Sequence, residues 1–238
     1  MPDLASAIRD LVIANRILAR ENVVDAYGHV SIRHPLHPER YLLSCSRSPE
    51  LVERADIVEF NFAGEAVDGD TRRPYLERFI HGAIYEARPE INAVVHSHAD
   101  DVLPFSITST PIRPVIHNAS GLGLHVPVWD MRDAFGDTSL LVATVDHGRD
   151  LAKALGGASV VLMRGHGFSA AGRTLLEAVG ISVYVPKNAR VLISAMRLGE
   201  VKGLSAGEID RIRHGPHAHD LRRAWEYWTR RAGCADLL

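Results

Sequence analysis

Two histidines one residue apart, His96 and His98, close the apolar run Ile91-Asn92-Ala93-Val94-Val95. Side chains alternate along a β-strand, so residues two apart point to the same side. The pair therefore presents two imidazoles on one face, at the mouth of a strand. A third imidazole, His166, lies in Arg164-Gly165-His166-Gly167, directly after a second apolar run, Ala158 to Met163. Glu77 stands upstream at the start of a helical pattern. Three neutral imidazoles and a carboxylate are the donor set of a catalytic divalent-metal site. The set suits Zn2+, Mn2+, Fe2+ or Co2+ without choosing among them.

The chain has 13 histidines, so accidental pairs must be weighed. Two solvent-facing histidines at a strand end are the plain alternative for His96 and His98. The apolar residues on both sides of that strand argue for burial, and buried imidazoles need partners. His217-Ala218-His219 has the same spacing, but it follows Gly215-Pro216 and precedes Arg222-Arg223. No strand aims those rings, so a polar turn or helix start is expected there. His34 and His37 sit among prolines, and His117, His125 and His147 in loop-like sequence. His81 follows Glu77 by four residues on the same helical face, where it either supports the site or packs. A glutamate in a first turn can simply complement the helix dipole. Beside three histidines it can be ligand, acid or base. Arg47, Arg78 and Arg164 are candidates for gripping an anionic substrate, because the guanidinium fork matches a carboxylate. Arg164 is favoured, two residues before His166; for Arg47 and Arg78 a surface ion pair is the alternative.

The elements that must position these groups are legible in outline. Apolar spacing predicts a helix from Leu4 to Glu21. Strands are expected around Ala26–Arg33, Tyr41–Ser44 and Ile57–Phe62, then a helix over Tyr75–Ala87 ended by Arg88-Pro89. The strand of the histidine pair follows. Next come a helix over Asp100–Ser106, a short strand at Val126–Trp129 and a helix over Gly148–Leu155. Thr174 to Leu198 reads as a long helix that Pro186 must kink or interrupt. Strands and helices alternate without strict βαβ order, which predicts an α/β sandwich with a largely antiparallel or mixed sheet.

At 238 residues with a net charge of −2, the chain can bury a sizeable core and offers no basic surface for nucleic acid. No apolar stretch approaches the roughly 18–20 residues needed to cross a bilayer. Met1-Pro2-Asp3-Leu4-Ala5 lacks the pattern of a signal peptide. Cys45 and Cys234 form no metal or redox motif. A reduced, cytoplasmic protein is expected.

Four separated motifs stand in a telling order: Gly28-His29-Val30-Ser31-Ile32-Arg33, Glu77, the stretch from Ala87 to His98, and Gly165-His166-Gly167. In that order they resemble the class II aldolase/adducin family over roughly residues 5 to 200. The resemblance implies a three-layer αβα sandwich with a mainly antiparallel central sheet. It implies a single domain over 1–238, with 201–238 as a helical C-terminal tail. A metal would be held by His96, His98 and His166, with Glu77 as proton-transfer residue and alternate ligand. A homotetramer is typical of the family.

The departures point to a branch. Sugar-phosphate aldolases of the family hold phosphate with a turn Asn and a Ser-Ser pair before the glutamate. Here His29 and Tyr75-Leu76 stand in those places, Ser44-Cys45-Ser46-Arg47-Ser48-Pro49 replaces a Thr-Pro-Ser-Gly segment, and Arg164-Gly165 replaces the Asn before the last His-Gly. Leucine donates no hydrogen bond to a phosphate. The altered set looks like the decarboxylase branch, which acts on hydroxylated aromatic or pyridine dicarboxylates. The expectation is a metal-dependent, non-oxidative decarboxylase of a substrate such as 3,4-dihydroxyphthalate or a hydroxypyridine dicarboxylate. Mn2+ is the favoured ion by this resemblance. Glu77 or His29 would deliver the proton. The alternatives are an aldolase or epimerase on a non-phosphorylated substrate and a non-haem iron oxygenase. An adducin-like non-catalytic module is opposed by retention of all three histidines and Glu77.

Overall fold

A computed structural model describes residues 3–215 and 220–237; the look-alike pair His217 and His219 lies outside them. Among the described residues seven strands form one sheet: β1 (His29–Arg33), β2 (Arg40–Ser44), β3 (Ile57–Asn61), β4 (Ala93–Ser97), β5 (Val128–Trp129), β6 (Val160–Met163) and β7 (Gly167–Gly172). Their order is β3-β2-β1-β4-β7-β6-β5, antiparallel throughout except for the β5–β6 pair. The α-helices are α1 (Leu4–Arg20), α2 (Phe79–Ala87), α3 (Leu103–Ser106), α4 (Met131–Phe135), α5 (Val145–Leu155), α6 (Leu175–Leu198), α7 (Ala206–His214) and α8 (Leu221–Arg231). No helix among them is long and apolar enough to cross a membrane.

Strand alternation builds the layers. Val30 and Ile32 on β1, Ala93 and Val95 on β4, and Phe168 and Ala170 on β7 pack with α1 and α6, together with Trp228 of α8. The intervening residues face the other way. There Leu43, Val58, Val94, Val161 and Ala171 pack with Ile80, Ala83 and Ile84 of α2 and Leu151 and Leu155 of α5. The result is the expected sandwich, helices on both faces of a mostly antiparallel sheet. Asp3 caps α1 by accepting from Ser6 N at 2.8 Å, and Thr144 and Thr174 cap α5 and α6 in the same way.

Two local expectations are corrected, and one strand carries no signal in the sequence. The helix expected from Tyr75 begins as α-helix only at Phe79; Leu76–Arg78 is a 3-10 turn with Glu77 at φ −91°, ψ 19°. That sparsely used backbone region turns Glu77 off the helix axis and towards the sheet. Pro186 does not interrupt α6: the bond lost at the Ser182 carbonyl is offset by tight burial of Val183, Val185, Pro186 and Ala189. β7 went unread because Gly-Phe-Ser-Ala-Ala-Gly lacks the β-branched residues that mark strands.

Two glycines let the site strands close up. Gly28 adopts φ +89°, and a Cβ there would lie 2.9 Å from the His96 carbonyl oxygen. A Cβ on Gly167 would come 2.0 Å from the Ser97 carbonyl oxygen, an impossible contact. Gly167→Ala must therefore part β4 from β7 beside His98 and His166. It should cost about 3 kcal/mol of stability in urea denaturation and weaken metal uptake together.

Candidate metal centre and substrate cavity

Strand register places the histidines. His29 on β1 pairs with His96 on β4, and His96 pairs in turn with Ser169 on β7. His98 lies one residue beyond the end of β4, and the β6–β7 turn, with Gly165 at φ +64°, carries His166 alongside. The Nε2 atoms of His96 and His166 stand 2.9 and 3.0 Å from that of His98. Glu77 Oε2 lies 3.4 Å from His96 Nε2, 3.4 Å from His166 Nε2 and 3.9 Å from His98 Nε2. The four groups offer ligand atoms all within 4.8 Å of one another. Donors on one ion at about 2.0–2.2 Å would stand roughly 3.3 Å apart, so the cluster has the right dimensions.

The outer contacts fix how the rings face. His96 Nδ1 donates to the Phe168 carbonyl at 3.1 Å, and His166 Nδ1 to the Leu140 carbonyl at 2.9 Å. With the proton on Nδ1, Nε2 presents a lone pair to the centre. Leu140 sits at φ +64°, a rare position for a leucine, and so aims its carbonyl at His166. Two residues on, Val142 N donates to Glu77 Oε1 at 3.0 Å. Sequence reasoning missed this clamp, because it acts through backbone atoms and no side-chain pattern marks it.

The electrostatics favour a cation. Burial pushes His96 down to about 4, so it is neutral at physiological pH. Burial by itself would raise the Glu77 pKa, but the surrounding imidazoles, His96 foremost, act the other way and hold it well below the usual carboxylate range. Burial also acts to lower His166, and its bond to Glu77 outweighs that and raises it. A buried carboxylate facing imidazole lone pairs at these distances fits a divalent ion.

His29 and His81 form a second arrangement behind the first. His29 Nδ1 lies 2.6 Å from His81 Nε2, His81 Nδ1 lies 2.6 Å from Ser31 Oγ, and Ser31 Oγ lies 2.8 Å from the Tyr85 hydroxyl. All four residues are buried. Burial, then the charges of His81 and His96, hold His29 well below its ordinary pKa; burial and His96 push His81 down to about 3. His81 is thus tied to His29 and does not merely pack.

His29, Glu77 and His98 line a cavity of about 590 Å³, walled by Tyr27, Tyr75, Leu76 and Leu141 and rimmed by Ser46, Arg47, Ser48, Arg73 and Arg78. Of the three arginines singled out from sequence, Arg47 and Arg78 reach it. Arg47 is paired with Asp56 at 2.8 Å, and Arg78 donates to the Gly64 and Tyr75 carbonyls while stacking on Phe79. Arg164, the favoured one, does not line the cavity; it is held in an ion pair with Asp130. Arg73 was not singled out. Tyr184 and Lys187 line a different cavity.

A model of the class II aldolase and adducin N-terminal domain matches residues 9–193. The chain belongs to that family. It is 34% identical to decarboxylase tropJ of Talaromyces stipitatus, over 94% of this chain and 92% of the relative. It is 27% identical to 3,4-dihydroxyphthalate decarboxylase of Arthrobacter keyseri, over 97% and 96%. An aldolase II superfamily protein from Pseudomonas syringae shares the fold at a TM-score of 0.79 and 21% identity, covering 100% of this chain and 96% of that one. Within the family, then, the chain falls in the decarboxylase branch and is a carboxy-lyase.

Two outcomes are expected. His98→Ala or His166→Ala should abolish stoichiometric metal uptake, read by elemental analysis, with far-ultraviolet circular dichroism unchanged. In metal-free protein, His81 is neutral when folded but takes a proton at about pH 6.5 when unfolded. Stability should therefore fall as pH drops below about 6.5 and keep falling towards pH 3, with this residue contributing up to about 1.4 kcal/mol per pH unit. His81→Gln should flatten that slope in urea titrations run at several pH values.

Proposed function

We propose that this protein is a metal-dependent, non-oxidative decarboxylase of an ortho-hydroxy aromatic or heteroaromatic dicarboxylate, with 3,4-dihydroxyphthalate the first compound to test. The observation that carries the reading is the Glu77–His96–His98–His166 cluster beside a cavity whose wall next to Glu77 is Tyr75 and Leu76. The similarity to 3,4-dihydroxyphthalate decarboxylase supports the substrate class. One divalent ion per subunit, Mn2+ favoured, would be held by the three histidines and Glu77. Such an ion supplies a sink for the electron pair left when a carbon–carbon bond breaks.

The chain's own groups account for the rest. The aromatic and aliphatic walls accept a planar ring and shed water from it. His29 has its Nδ1 committed to His81, which leaves Nε2 to hold a proton at the cavity surface. Glu77 keeps one oxygen on Val142 N and turns the other to the cluster; being ionised, it orients a water whose proton goes to the ring. Protonation of the ring carbon that bears the departing carboxylate sets up cleavage. The bond to that carboxylate then breaks, CO2 leaves, and the electron pair restores the aromatic ring. One proton is consumed and no oxidant is needed. A homotetramer is part of this reading.

Purified protein loaded with Mn2+ should convert 3,4-dihydroxyphthalate to 3,4-dihydroxybenzoate and CO2 in equal amounts, with no oxygen consumed. Glu77→Gln should lower kcat by about 10²–10⁴-fold, and a chelator should stop turnover. Absence of CO2 from every ortho-hydroxy aromatic acid in a panel would sink the reading.

A further inference from the structure

The cavity rim carries three guanidinium groups, and two of them are already committed. Arg47 holds Asp56 through two contacts of 2.8 and 3.1 Å and lies 3.9 Å from Glu53. Arg78 is bound to two backbone carbonyls and lies over the Phe79 ring. Arg72, next in sequence to the third, is likewise bound, to Asp70 and to the carbonyls of Ala55 and Ile57.

Arg73 differs. Its backbone is fixed: the Arg73 carbonyl accepts from Ser46 N at 2.8 Å, and the neighbouring Pro74 bridges to Cys45. The residue is exposed and lines the cavity, and among the described residues its side chain makes no ion pair or hydrogen bond. A cation on an anchored backbone, at the rim of a cavity and left without a counter-ion, is set up to receive an anion from outside. The other charge bordering the cavity that could oppose it, Glu77, is turned to the histidines.

Resting on the proposed reaction, we propose that Arg73 binds the carboxylate that the substrate keeps, and so makes the enzyme select dicarboxylates over monocarboxylates. The substrate's hydroxyl and departing carboxylate must sit at the metal cluster. The retained carboxylate is then free to meet the rim, where a guanidinium can take it through two parallel hydrogen bonds. Arg47 cannot do the same without giving up Asp56.

Two acids of one ring test this: 3,4-dihydroxyphthalate and 2,3-dihydroxybenzoate, which has the departing carboxylate and ortho hydroxyl but lacks the retained group. Arg73→Ala should lower kcat/KM for the diacid about 10–100-fold, through KM more than kcat, and leave the monoacid unchanged. Arg73→Lys should recover part of the loss. Equal loss on both acids, or no loss on the diacid, overturns the proposal. A second arm is independent of turnover: calorimetric binding of phthalate and benzoate to the metal-loaded protein. Phthalate affinity should fall in Arg73→Ala by a similar factor while benzoate affinity holds. If neither hydroxy acid is turned over, the proposed reaction fails, and phthalate binding still decides Arg73: unchanged affinity overturns its role, and selective loss supports it.

Discussion

Three imidazole nitrogens and a carboxylate are crowded together inside the protein, and the rest of the structure follows from that crowding. Removing an ionised carboxylate from water costs several kcal/mol unless partners replace the lost hydration. Glu77 has Val142 N on one oxygen, and the other faces the histidines, where a bound cation would replace the lost hydration. The imidazoles cannot all turn protons inward, because His96 and His166 spend theirs on backbone carbonyls. What is left is a set of lone pairs that only a cation satisfies. Holding it in shape requires strands that approach closer than side chains normally permit. Gly28 and Gly167 supply that approach, and Leu140 takes a costly backbone conformation to complete the cage.

The Tyr85–Ser31–His81–His29 chain shows the same economy one layer out. β1 turns Ser31 to the α2 face of the sheet, and α2 lays His81 and Tyr85 against it. Each polar atom from the Tyr85 hydroxyl to His29 Nδ1 has a partner, which offsets the cost of burying the track. Because both His81 nitrogens are occupied, His29 is held rigidly by one nitrogen. Its second nitrogen remains for the cavity. On the proposed reading, a histidine kept neutral by burial and pinned at one end would hold the proton-delivering water in one geometry rather than many.

Much of the site could be read from the sequence because its donors have chemically distinctive side chains. His96 and His98 announced themselves through the period of a strand, and His166 through its place after another apolar run. The sheet was legible where Val and Ile alternate, as in β1, or where an apolar run continues unbroken, as into β4, and silent in β7, where Ala and Gly fill a strand defined by its neighbours. The backbone clamp at Leu140 and Val142 left no trace, since any residue carries a carbonyl and an N–H. Arginines were judged by closeness in sequence. Arg164, favoured on that criterion, is held by Asp130 at the N-cap of α4 and does not line the cavity. Partnering is a property of the fold, and it separates Arg73 from the arginines around it.

The cavity wall explains why a shared cluster can serve different substrates. A phosphate needs several hydrogen-bond donors aimed at one point. Leu76 has none. Tyr75 has a hydroxyl in name only, because that group is spent on the Ser44 hydroxyl and the Arg47 carbonyl, outside the reach of a ligand. The same two bonds lock the Tyr75 ring in place, 4.7 Å from the centroid of His29. Replacing donors with a fixed aromatic face costs affinity for a tetrahedral anion and gains a surface for a flat one. On the proposed reading, a flat substrate would present its ring carbon edge to His29 and Glu77, with its charged substituents at the cluster on one side and the rim on the other. The retained metal donors keep the electron sink, and the altered wall chooses which bond is brought to it.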